Sequence, residues 1–377
     1  MATTEARIHR RWRPSRSLTL AVAIVALGLL ASCGTPEVAE PTQPATTGGT
    51  PPTLLPHMTK PTLAPLLSPS TTTPPPTRSH TTGSNRSAPS EGTYAVGLTT
   101  MAFTDSTRPT AARGSNPGRE TRALVTTIRY PAEGSAGAAE GKLDPARSSG
   151  PFPMVVFVHG FNTSAARYDQ LLHQMAAAGY VVVAPDFPLT SSALPGPAVE
   201  ADVANQPADV KFVISKLLTE NDQPGEMHGL ITKDKIAVVG HSDGGNTAAA
   251  TAYNACCIDT RVKAAVMLAA EEKLFPDTWF QAPSPGQSTV PFLGMHSDKD
   301  EVTPYDNGKE LYSGARNPKY FVTIVNGNHA DPFTGGAEAP AAGRIIVGFL
   351  DGYLRSDSSV LARMKSDANQ PPFKLES

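Results

Sequence analysis

The stretch "KIAVVGHSDGGNTAAATAY", residues 235–253, constrains the fold more than any other part of the chain. An apolar, β-branched run enters Gly240-His241-Ser242-Asp243-Gly244, and a helix of almost entirely small residues follows. A strand that passes into a helix through a serine must turn so tightly that its neighbours lack bulk, which the flanking glycines supply. Such an elbow lifts the serine hydroxyl above the C-terminal edge of a sheet. It also aims the positive end of the helix at the same point, where it favours developing negative charge. Ser242 therefore reads as a nucleophile, and a nucleophilic serine needs a base and an orienting acid farther along the chain.

The segment from about Glu91 to Ser377 supplies the matching architecture. "MVVFV", "YVVVAP", "KIAVV", "VKAAVMLAA", "VPFLGMH" and "YFVTIVN" read as strands, with "YAVGLTTMAF" and "ALVTTIRYPA" as edge strands before them. Helical stripes lie between them. Tyr168, Leu171, Leu172 and Met175 repeat at helical spacing before Gly179, as do Val210, Val213, Ile214 and Leu217 after Pro207. Ile345, Ile346, Phe349, Leu350 and Tyr353 form the last. These stripes are core. The alternation predicts one α/β domain, residues 91–377, with a mostly parallel central sheet and helices on both faces.

Two loops after predicted strands carry the remaining chemistry. "FLGMHSDKDEVTPY" offers Asp300 as the acid, in the run Asp-x-Val-x-Pro, with Asp298 as its competitor; the unused aspartate is then a solvated turn residue. "IVNGNHADPF" offers His329 as the base, and Asp331 beside it reads as turn chemistry before Pro332. His159, His241 and His296 read as hydrogen-bonded structural histidines.

The N-terminal region has another character. Arg7, Arg10, Arg11, Arg13 and Arg16 precede the apolar stretch "LTLAVAIVALGLLASC", an export signal too short for a confident membrane span. "LASC", Leu30 to Cys33, resembles the lipobox of bacterial lipoproteins, which implies cleavage before Cys33 and its acylation; a plain secretory signal is the alternative. Residues 34–90 are rich in Pro, Thr, Ser and Gly with few large apolar residues, so they read as a disordered stalk. Thirteen of the chain's 36 prolines fall there. Of three cysteines, Cys256 and Cys257 remain after Cys33; two small buried thiols are expected, with a vicinal disulfide as the minority reading. A net charge of -2 without a basic block beyond the first residues argues against a nucleic-acid partner. No metal-ligand spacing appears among Cys and His.

"TTIRYPA", "PMVVFVHGFNTSAARYDQLLHQMAAAGYVVVAPDFP", "NQPADVKFVISKLL" and "GHSDGG" resemble, in order, segments of α/β-hydrolases, among them bacterial platelet-activating-factor acetylhydrolase-like, dienelactone-hydrolase-like and cutinase (polyester hydrolase) proteins. Dienelactone hydrolases use a cysteine nucleophile, so Ser242 departs from that subgroup. The resemblance implies an α/β-hydrolase fold, the triad Ser242, His329 and Asp300, and an oxyanion hole from the amides of Phe161 and Asp243. The Asp243 carboxylate is then expected to turn outward and cap the helix. Asn162, Phe275 and Trp279 are pocket candidates, although Phe275, Trp279 and Phe280 equally suit packing of their loop onto the domain. Cleavage of lipid, acyl or polyester-type carboxylic esters follows, with no cofactor and no metal, by a monomer lipid-anchored at the bacterial cell envelope. A prolyl-oligopeptidase-type serine peptidase and a non-catalytic binding lipoprotein are the other readings.

Overall fold

Runs that are apolar at every position lie at the centre of one sheet, and runs that alternate lie at its edge. In the computed structural model, β3 (Phe152–Val158), β4 (Val181–Asp186), β5 (Ile231–His241) and β6 (Val262–Leu268) run parallel, followed by β7 (Phe292–Ser297) and β8 (Lys319–Ile324). The long antiparallel pair β1 (Ala95–Asp105) and β2 (Arg122–Ala132) closes one side, and β9 (Phe373–Glu376) pairs antiparallel with β8 on the other. The sheet order is β1-β2-β4-β3-β5-β6-β7-β8-β9.

The structure describes residues 93–276, 278–280 and 289–377. The export signal, Cys33 and the stalk lie outside the described residues. Among the described residues no helix is long and apolar enough to cross a membrane.

Successive residues of the central strands feed opposite layers. Met154, Val156 and Val158 of β3 pack with α2 (Gln206–Asp222), α3 (Asp243–Tyr253) and α4 (Tyr305–Gly314). Val155 and Phe157 pack instead with α1 (Asp169–Ala177), α5 (Asp331–Thr334), α6 (Ala339–Leu354) and α7 (Ser358–Asp367). Burial on both faces is why these strands read as unbroken apolar runs. The three helical stripes of the sequence are α1, α2 and α6, and Gly179 follows α1 at φ 97°, a left-handed position that glycine takes without strain.

Two features differ from expectation. β9 has only four residues of alternating character, and it forms because β8 offers it an open edge. Cys256 and Cys257 are joined in a vicinal disulfide rather than buried as free thiols. They sit in the turn after α3, where the Asn254 side chain and carbonyl receive the amides of Cys256 and Cys257.

The strand order reverses between β3 and β5: the chain leaves β3 for β4 on one side, then returns to β5 on the other. In an open α/β sheet a crevice forms at such a switch point, beyond the C-terminal ends of the strands. The loop after β3 begins at His159, and the turn after β5 holds Ser242.

Candidate active site

Ser242 occupies the turn between β5 and α3 with φ 56° and ψ -127°, a left-handed conformation costing a non-glycine residue about 1–3 kcal/mol. The surrounding backbone holds it there. The Ser242 amide donates to the Leu268 carbonyl at 2.9 Å, and the Ser242 carbonyl receives the amides of Gly245 and Asn246. The flanking glycines are steric requirements: a Cβ on Gly240 would lie 2.0 Å from the Gly244 carbonyl oxygen, and one on Gly244 would lie 2.1 Å from that of Val158. Ala248, Ala249 and Ala252 continue the close approach of α3 to the sheet.

His329 follows β8, and its Nδ1 lies 2.7 Å from Asp300 Oδ2. Because a carboxylate only accepts, Nδ1 carries a proton, and in the neutral form of the ring Nε2 keeps its lone pair. The other oxygen of Asp300 receives the amides of Val302 and Thr303 at 2.9 and 2.8 Å, and His296 Nε2 lies 3.3 Å from Oδ2. Burial alone would raise the Asp300 carboxyl, but hydrogen bonds from His296, His329 and the Val302 amide outweigh it and hold it well below the usual carboxylate range. Asp298 faces elsewhere and accepts the Asn326 amide. Of the two candidate aspartates, the structure brings Asp300 to His329.

His329 is brought to the elbow by the residue before Ser242: His241 Nε2 lies 2.9 Å from the His329 carbonyl, and the two rings stand 4.7 Å apart. Among the described residues no hydrogen bond joins the Ser242 hydroxyl to His329, so a proton transfer between them needs one side chain to move. His159, His241 and His296 are buried and hydrogen-bonded.

The turn after β3 stands against the elbow, since a Cβ on Gly160 would meet the His241 carbonyl and Ser242 Cβ, each at 3.2 Å. Gly160 donates its amide to Tyr168 Oη and Asn162, at φ 51°, donates to the Thr190 carbonyl. The amides of Phe161 and Asp243, between these anchored neighbours, donate to no acceptor among the described residues.

Asp243 is placed differently from expectation. It does not cap α3: it is the first helical residue, so Ser242 holds the cap position, and no side-chain cap bond forms. Its Oδ1 has only a 3.5 Å contact from Asn246, and Oδ2 is shielded from solvent without a partner. Burial, reinforced by the charges of Glu200 and Glu271, pushes this carboxyl up to about 6. Trp279 bridges Asn254 at the far end of α3, and eleven helical residues at 1.5 Å rise put that end about 16 Å from Ser242. Phe275 stacks edge-on against Trp279, and Trp279 and Phe280 pack on the core, so packing accounts for this cluster. Tyr168, which reads as one more core residue of its stripe, is a hydrogen-bonding member of the site, and no spacing joins it to His241, 73 residues on.

Among solved structures, a ferulic acid esterase from Streptomyces cinnamoneus superposes with a TM-score of 0.52, covering 70% of this chain and 91% of that one at 20% identity. The chain has the α/β-hydrolase fold. Residues 143–270 match the family model described as chlorophyllase, a span that includes the turn after β3 and the elbow. An uncharacterized protein, YfhR, of Salmonella typhi is 40% identical over 48 residues, 13% of this chain and 16% of the relative, so the chain spans about a sixth of that relative's length. A chlorophyllase type 0 of Chenopodium album is 23% identical over 265 residues, 61% of this chain and 75% of the relative. Chlorophyllase-1 of Arabidopsis thaliana is 34% identical over 104 residues, 28% and 30% of the two chains.

Proposed function

We propose that this α/β-hydrolase cleaves carboxylic esters through Ser242, His329 and Asp300. The observation that carries the reading is the Asp300–His329 pair, set against a strained serine elbow by the His241–His329 contact. With its Nδ1 proton held by Asp300, neutral His329 takes the Ser242 proton at Nε2 as the oxygen attacks the ester carbonyl. The free amides of Phe161 and Asp243 receive the developing oxyanion, as preorganised donors of this kind do. His329 returns the proton to the leaving alcohol, and water then hydrolyses the acyl-enzyme by the same steps. The match to a chlorophyllase-described family and the likeness to a ferulic acid esterase support an ester as the bond cleaved. The ester is of lipid, acyl or polyester type.

We also propose that Cys33 is acylated after export and holds the catalytic domain at the envelope on the stalk of residues 34–90. The lipobox-like Leu30-Ala31-Ser32-Cys33 supports this. Membrane fractions should lose the protein in a Cys33→Ala variant; unchanged processing and retention would end that part of the proposal.

The test of the chemistry is hydrolysis of p-nitrophenyl esters, from acetate to palmitate, by the full chain beside Ser242→Ala. Turnover confined to the serine form is expected. A folded protein that hydrolyses no ester would shift the reading to a peptidase or a binding protein.

A further inference from the structure

Three loops from three strands must meet around Ser242. The oxyanion turn follows β3, the nucleophile follows β5 and the base follows β8. Asp300 fixes only one edge of the His329 ring. A buried chain of hydrogen bonds joins all three loops: the Gly160 amide to Tyr168 Oη at 3.2 Å, Tyr168 Oη to His241 Nδ1 at 2.9 Å, and His241 Nε2 to the His329 carbonyl at 2.9 Å. Tyr168 and His241 are 1% and 3% exposed, so water does not compete for these groups.

The donors and acceptors have one consistent assignment. A carbonyl only accepts, so His241 carries its proton on Nε2 and donates to His329. The neutral ring then accepts at Nδ1, which makes Tyr168 the donor, and the lone pair of Tyr168 receives the Gly160 N–H. Burial, together with the nearby His329, drives the His241 imidazole down to about 3, in keeping with a ring that stays neutral while the enzyme works.

We propose that Tyr168 and His241 are positioning residues that hold the base loop and the oxyanion turn in register with Ser242. The proposal rests on the esterase reading above. Neither side chain touches the reacting atoms; each fixes a backbone group of a loop that does. Misplacing a reacting group by about 1 Å costs on the order of 100-fold in rate, so a network that sets two loops at once acts on kcat more than on binding.

The test is steady-state hydrolysis of a p-nitrophenyl ester by the full chain, with thermal melting of each variant. Tyr168→Phe keeps the ring that packs 4.7 Å from Phe157 and removes only the oxygen. It should lower kcat about 10-fold or more and leave KM within about twofold, the pattern of a lost transition-state alignment. His241→Gln, whose amide nitrogen can overlie Nε2, should retain kcat within about threefold, whereas His241→Asn, which cannot reach the His329 carbonyl, should fall with Tyr168→Phe. An unchanged kcat in folded Tyr168→Phe overturns the proposal, as do equal losses in the Gln and Asn variants. If the His241 variants do not fold, Tyr168→Phe decides alone. Wild-type turnover that survives Ser242→Ala, or no turnover, overturns the esterase reading and this inference with it; Ser242-dependent turnover with an unaffected Tyr168→Phe overturns this inference alone.

Discussion

Two aspartates stand on either side of Ser242 in opposite circumstances. Asp300, on the base side, has donors on both oxygens: the Val302 and Thr303 amides on one, His329 and His296 on the other. Asp243, on the oxyanion side, has one oxygen shielded without a partner and two further carboxylates, Glu200 and Glu271, in its field. Burial acts on both, yet Asp300 is held ionised and Asp243 is pushed up to about 6. Hydrogen-bond donors, rather than depth, decide which carboxylate keeps its charge. Under the proposed mechanism the contrast also fits a charge-separated transition state: a fixed anion behind the imidazole would stabilise the imidazolium, and a weakened anion near the oxyanion would oppose it less.

The largest effect should come from removing the charge of Asp300 while keeping its shape. Asp300→Asn offers His329 an amide in place of a full acceptor and favours the wrong tautomer, so kcat should fall on the order of 10³–10⁴-fold with the fold intact. Ester hydrolysis by the purified variant measures this. A smaller effect comes from trimming one donor: His296→Phe should lower kcat about 10-fold, with the loss deepest at acid pH, where an under-supported Asp300 first takes up a proton. A pH profile of kcat/KM against the wild type reads it.

Asp243 should give an effect of the opposite sign, on stability. Its carboxyl is raised from 3.8 to about 6 in the folded chain, so the native state holds this proton more tightly than the unfolded state does. Stability is therefore lost as pH rises from about 4 to 6 and stays lost above it. Asp243→Asn should be more stable than the wild type at pH 7.5 and no more stable near pH 3.5. At this half-exposed position solvent screening limits the gain to about 1–2 kcal/mol. Urea unfolding at the two pH values tests the sign. The smallest effect belongs to Asp298, which accepts the Asn326 amide and does not contact His329: Asp298→Asn should change kcat by no more than about twofold, and a triad-sized loss would exchange the two aspartates.

These residues mark where the sequence is readable. The strands are legible because burial on both faces writes unbroken Val and Ala runs, and Ser242 is legible because only glycine fits beside the elbow. The pairing of His329 with Asp300 is legible because each loop directly follows a parallel strand, at the same sheet edge as the elbow. The state of Asp243 is not legible: it depends on Glu200, which precedes the elbow by a whole helix and strand. Tyr168 repeats with Leu171, Leu172 and Met175, and a period cannot separate a hydroxyl that bonds from one that only packs. Trp279 and Phe280 carry the apolar composition of a pocket, but pairing with Asn254 and Tyr253 decides where they lie. β9 is too short and too alternating to be separated from a terminal coil by pattern alone.

The most direct measurement is active-site titration of the full chain with a fluorophosphonate, read by mass spectrometry of the labelled peptides. One adduct is expected, on Ser242, formed rapidly by the wild type, formed slowly by Asp300→Asn and absent from Ser242→Ala. An unlabelled Ser242 in a folded, soluble wild-type protein, or equal labelling rates in the wild type and Asp300→Asn, would contradict the claim that His329 and Asp300 activate this serine.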